Sequence, residues 1–134
     1  MKFLKFMLVA VVAVTVVGCN RVQPIYNVEG QAFPSIVESL DQKEIEQAIV
    51  RAGNSRDWII SPNPDGSLDG LLMPRQHVAK IRIEFDQHGF SIQYKDSEEL
   101  LYSGGKIHRN YNRWVRNLED AILQEVSLTA NTKS

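Results

Sequence analysis

Hydrophobic and polar positions divide this chain into three regimes. Phe6 to Val17, FMLVAVVAVTVV, is an apolar run interrupted only by Thr15. Residues 20–40 mix apolar and polar positions with no sustained period and contain Pro24, Gly30 and Pro34, which predicts an extended connector. Val28, Phe33, Ile36 and Val37 are apolar enough to dock partly on whatever follows. From residue 41 onward helical and strand periods become regular, and folded elements are predicted.

Asp41 is a candidate N-cap with Glu44 three residues on, and Leu40 and Ile45 occupy the staple positions of a helix start. Ile45, Ala48, Ile49 and Ala52 form one apolar stripe, and Gly53 supplies a left-handed stop, so a helix is predicted over 42–52. DWIIS predicts a strand over 57–61, PNPDG a turn, and LDGLLM a strand over 68–73 that Gly70 weakens or bulges. Ala79, Ile81, Ile83 and Phe85 alternate with charged residues, as do Phe90, Ile92 and Tyr94 with polar ones; DQHG joins them into an antiparallel hairpin. Ile107, Tyr111, Trp114, Leu118 and Ala121, widened by Val115, Ile122 and Val126, predict a long helix over about 108–127, followed by a flexible polar tail at 128–134. The order αββββα predicts an α+β fold, an antiparallel sheet of about four strands with both helices packed on one face. The domain division is then 1–18, 19–40, 41–127 and 128–134.

Charge adds an exclusion. The 134 residues carry a net charge of −1. Setting aside Lys2 and Lys5 leaves 13 basic residues against 16 acidic ones, so the remainder is mildly acidic and does not read as a nucleic-acid binder. A single cysteine, Cys19, rules out an intramolecular disulfide, a CxxC redox motif or a thiol-based zinc site within one chain. No cofactor is implied.

That cysteine stands where the apolar run stops. A basic start (MKFLKF), a 12-residue apolar stretch and small Gly18 describe a secretory signal peptide over 1–18, too short for the roughly 20 residues that a spanning helix needs. Val16-Val17-Gly18-Cys19 resembles the lipobox of bacterial lipoprotein precursors, with Val in place of the commoner Leu three residues before the cysteine. The resemblance implies cleavage before Cys19, a diacylglycerol thioether on its sulfur and acylation of the new terminus. A thiolate suits that chemistry because of its nucleophilicity. It implies a protein held on the cell envelope, facing the periplasm. Asn20, not an aspartate, leans towards the outer membrane.

Few residues suggest further chemistry. Arg109, Arg113 and Arg116 fall at i, i+4 and i+7 of the long helix, opposite Trp114 and Leu118, with Lys106 and His108 just before. They form either a basic strip for phosphate, lipid headgroups or an acidic partner, or a solvated face; the plainer reading takes precedence. His77, His88 and His108 match no local ligand spacing, and surface or hydrogen-bonded histidines are expected. Asp96, Glu98 and Glu99 fit no calcium loop and read as loop solvation. Tyr111 and Trp114 lie on the apolar stripe and are expected to pack, while Trp58, beside the turn-rich loop to Gly66, is a candidate contact residue. No GxSxG, HExxH or phosphate-loop pattern is present, and no catalytic residues are assigned.

RQHVAKIRIEFD, FSIQYKDSEELLY and IHRNYNRWVRNLEDAI, within residues 45–122, together resemble a group of small proteobacterial lipoproteins without assigned activity. The resemblance implies no catalytic residues. The expectation is a non-enzymatic, lipid-anchored envelope domain whose partner is another envelope protein. A peptidoglycan or lipid-headgroup binding module is the alternative, with a small enzyme behind both.

Overall fold

The computed structural model describes residues 21–133. The expected signal peptide at 1–18 lies outside them. Two short strands open the described chain, β1 (Val22–Pro24) and β2 (Val28–Ala32), followed by a 3-10 turn at Ser35–Ser39 and helix α1 (Gln42–Ser55). Five strands follow, β3 (Ile59–Pro62), β4 (Leu68–Leu72), β5 (Val78–Phe85), β6 (Gly89–Glu98) and β7 (Lys106–His108), and then helix α2 (Arg109–Lys133). The α+β class and the antiparallel pairing agree with the sequence reading. The strand count is corrected: there is a five-stranded sheet in the order β2-β6-β5-β4-β3 and a two-stranded one, β1-β7.

The start of α1 forms as its sequence demands. The Asp41 carboxylate accepts from the Glu44 N–H at 2.8 Å, and the Glu44 carboxylate accepts from the Asp41 N–H at 3.1 Å. Its end differs. Gly53 is inside the helix, which runs on to Ser55. The left-handed residue is Asp57, at φ 66°. Trp58 N–H and Asp57 N–H reach back to the Gly53 and Asn54 carbonyls at 2.9 and 3.2 Å, a Schellman closure. Gly53 is needed for space instead, because a Cβ there would collide with the Ile60 side chain.

Gly70 also has a packing reason, not a bulge. The β3–β4 and β4–β5 registers run through it unbroken. A Cβ at Gly70 would stand 2.6 Å from Ile81 Cγ1 and 3.3 Å from the Trp58 ring. The register shifts fall elsewhere, between Lys80 and Ile81 and between Val28 and Gln31. Inward positions Leu68, Ala79, Ile81, Ile83, Phe90 and Ile92 join the stripes of both helices in one hydrophobic core. Lys80, Glu84, Gln93 and Lys95 on the other sheet face are exposed, the alternation expected of a half-wet antiparallel sheet.

The connector and the tail are both corrected. Residues 22–40 are part of the domain: β2 pairs with β6, and Val28, Phe33, Val37 and Leu40 are buried in the core. Ile36, expected to dock, is exposed. At the other end the helix continues to Lys133, with Ala130 fully buried and the Lys133 ammonium 2.7 Å from the Glu44 carboxylate. Among the described residues every member of the core cluster lies between Val28 and Ala130.

Candidate functional site

The start of α2 is built by residues far apart in sequence. β7 runs directly into α2, and β1 pairs antiparallel with β7, setting Val22 opposite His108. Arg109 N–H donates to the Arg21 carbonyl at 2.7 Å, and Ile25 N–H to the Gly105 carbonyl at 3.0 Å. Asn112, one of two buried polar residues of the described domain, is the latch. Its Oδ1 accepts from the Tyr26 N–H at 2.9 Å, and its Nδ2 donates to the Pro24 carbonyl at 2.9 Å and to Gln23 Oε1 at 3.3 Å. Asn112 lies in the stretch HRNYNRW, where the sequence suggests no role for it. No local signal marks it, because all three partners lie more than eighty positions away.

The three arginines of α2 do not share one environment. Arg116 lies over the Tyr26 ring, 4.4 Å from its centroid, and the Tyr26 hydroxyl donates to Glu119 at 2.6 Å. That hydrogen bond, with burial, raises the Tyr26 hydroxyl above its usual range. Arg116 is thus engaged beside an acid. Arg109 and Arg113 are exposed and, among the described residues, form no ion pair; nor does exposed Arg21. The cations that are paired lie away from this end: Lys43, Arg51, Arg82, Lys95 and Lys133 each meet a carboxylate. Lys133 closes a helix of 25 residues, about 37 Å from its start at 1.5 Å per residue.

Two of the three histidines gather at the same end. His77 Nδ1 is 2.7 Å from the Glu99 carbonyl, which assigns it the proton, and its ring lies 6.1 Å from that of Trp114. His108 Nδ1 accepts from the Asn110 N–H at 3.1 Å. Burial, then the charges of Arg109, His77, Arg21 and Arg113, lower the His108 pKa below its ordinary 6.5. The folded state therefore holds fewer protons than the unfolded one as pH falls through about 6.5, so stability falls with it. His108→Gln removes this contribution: the loss of melting temperature from neutral to mildly acidic pH, above the carboxylate range, is smaller in the variant. An unchanged pH dependence would refute the assignment.

His88 stands apart in the β5–β6 turn, where its carbonyl accepts from Phe33 N–H. It lines a hollow of 510 Å³ with Glu84 and Asp86. The Asp86 carboxylate is occupied by the turn itself, accepting from His88 N–H at 2.7 Å and Gly89 N–H at 3.1 Å. Among the described residues no group of three or more His, Cys, Asp and Glu is placed to hold a metal ion. Asp96, Glu98 and Glu99 are exposed and, among the described residues, in no ion pair; Asp96 accepts from the Ser97 N–H at 2.8 Å.

Trp58 is a correction. It is 1% exposed, seated in the core against Gly53 and Gly70, and offers no contact surface. The surface aromatic is Trp114, half-buried, which lines two adjoining hollows of 350 and 240 Å³ with Leu72, Arg56 and Asp57. Met73 and Pro74 complete the first of these, Met73 largely exposed. Tyr111 is fully buried, and burial holds its hydroxyl protonated far above the usual phenol range; that hydroxyl has no hydrogen-bond partner among the described residues. Its ring meets Tyr94 edge-on, and Tyr94 stacks on exposed Tyr102 at 4.7 Å.

Cys19, the expected lipidation site, lies outside the described residues, two positions before Arg21. Among the described residues no helix is long and apolar enough to cross a membrane. Comparison of the chain with protein-family models finds no match, and comparisons with curated proteins and with solved structures find none either.

Proposed function

We propose that this protein is a lipid-anchored domain of the bacterial cell envelope, held by Cys19 and acting without catalysis as a contact module for another envelope protein. The observation that carries the reading is the VVGC segment, in which a lone thiol follows a short apolar run and a glycine, immediately ahead of a compact domain. The three histidines have separate partners. His77 bonds to a backbone carbonyl, His108 accepts from a backbone N–H, and His88 belongs to a turn. None of the rings is hydrogen-bonded to a carboxylate among the described residues.

The contact surface best suited to a protein partner is the Trp114 groove. Its apolar floor of Leu72, Met73 and Pro74 is rimmed by Arg56 and Asp57. An aromatic and a methionine framed by charge is the composition found at the centre of protein interfaces.

Fractionation of cells expressing the wild type and Cys19→Ser tests the anchor. The wild type is expected in the membrane fraction, with mass spectrometry showing an acylated N-terminal Cys19. The variant is expected to lose acylation and membrane retention. One acyl chain binds with only about 10⁴ M⁻¹, and stable anchoring takes a second signal, so a triacylated terminus holds firmly. A mature terminus elsewhere, or an unmodified cysteine, refutes the reading. For the partner, a photo-crosslinker at Met73 is expected to trap one dominant envelope protein that the same group at Gln93, on the open sheet face, does not trap.

A further inference from the structure

Little chain separates Cys19 from the folded domain. Arg21 is already fastened by its carbonyl to Arg109 N–H at 2.7 Å, and β1 begins at the next residue. Two residues of chain span at most about 7 Å. A lipid on Cys19 therefore does not suspend the domain on a connector; it brings the surface around Arg21 down to the headgroup layer.

That surface has a definite charge. Arg21, Arg109 and Arg113 are exposed there and unpaired among the described residues. Neighbouring Glu98 and Glu99 form no ion pair with them. This contrasts with the chain beyond residue 19, where acids outnumber bases by 16 to 13. A guanidinium group matches phosphate as a planar donor fork with permanent charge. A headgroup phosphate supplies the anion that the domain itself does not.

We propose that Arg21, Arg109 and Arg113 seat the domain on anionic phospholipid headgroups, at the point where the chain leads to Cys19, and so hold the first turns of α2 against the membrane. The placement rests on the lipid-anchored reading; the headgroup binding itself does not. Arg116 takes no part, since Tyr26 and Glu119 already occupy its surroundings. The seat gives the anchored domain one fixed orientation. Each basic residue close to an anionic surface strengthens binding about fivefold.

Residues 20–134 contain every core residue among the described ones, so that segment is mixed with phosphatidylcholine vesicles, with and without phosphatidylglycerol, and sedimented. Binding is expected only with phosphatidylglycerol and is expected to weaken with salt. Arg109→Glu/Arg113→Glu is expected to weaken it by about 25-fold or more, and Arg109→Lys/Arg113→Lys to retain most of it with an unchanged circular dichroism spectrum. Equal binding to both vesicles, no binding, or no effect of charge reversal overturns the proposal whatever is found at Cys19.

The lipidated full chain, recovered from cells and placed in the anionic vesicles, tests the orientation. A fluorophore at Asn110→Cys is expected to be quenched by headgroup-labelled lipid several-fold more than one at Gln42→Cys, at the far end. Equal quenching of the two overturns the seating. An unmodified Cys19 beside charge-dependent vesicle binding would instead refute the anchor and leave the headgroup surface standing.

Discussion

Trp58→Ala lowers the stability of the domain by about 4 kcal/mol, with a urea midpoint far below that of the wild type and little change in slope. Truncating a fully buried Trp costs about 3–5 kcal/mol, the lost transfer energy plus the cavity left behind. Trp58 qualifies because it is 1% exposed. Its backbone N–H closes the end of α1 onto Gly53, and its ring lies where a Cβ on Gly70 would be 3.3 Å away. The site collapses poorly, since Gly70 and Gly53 have no side chains to move into the space. A loss below about 1 kcal/mol would return Trp58 to the surface and contradict the packing of α1 on β3.

Asn112→Leu costs about 2 kcal/mol and loosens one segment before the rest. The change removes both partners of the first strand's latch, the Oδ1 that takes Tyr26 N–H and the Nδ2 that donates to Pro24. A buried polar group left without its partner costs about 1–3 kcal/mol, and water meets part of the need here because Pro24 is exposed. Hydrogen exchange is the measurement. Amides from Val22 to Tyr26 are expected to lose protection in the variant while those of β5 and β6 keep theirs. Uniform loss across the domain would mean that β1 is not separately fastened. If β1 comes free, the chain between residue 20 and the core lengthens, and the proposed seating on anionic vesicles is expected to weaken as well.

Legibility followed the range of the interactions. Helix α1 was readable because its signals are local: Asp41 and Glu44 cap each other three residues apart, and its stripe repeats every three to four positions. The β5–β6 hairpin was readable for the same reason, as alternation across a short turn. β1, β2 and β7 were not. β1 and β7 have only three residues each, and β1 finds its partner more than eighty positions away. β2 carries Gly30 at φ 61° and a register shift, which breaks the period a strand search relies on. The polar ending of α2 looked like a tail because Ala130 carries little hydrophobic signal, yet it is fully buried and Lys133 ties back to Glu44.

The candidate site divides the same way. Arg109, Arg113 and Arg116 could be picked out as one row from helical spacing, but only their neighbours separate them: Arg116 lies over the Tyr26 ring, whose hydroxyl donates to Glu119, whereas Arg109 is bonded through its backbone N–H to Arg21. Arg21 could not be joined to that row at all, since the Arg109–Arg21 contact is a backbone bond across the whole domain. By itself the sequence determined what depends on residue type and near spacing: the α+β class, the helix cap, the hairpin, the mild acidity and the lone cysteine after an apolar run. Tertiary structure alone decided that Trp58 is core, that residues 22–40 belong to the domain, and that three arginines from two distant segments share one surface. Burial, cavity shape and unpaired charge are properties of which distant atoms meet, and no local pattern in a chain records them.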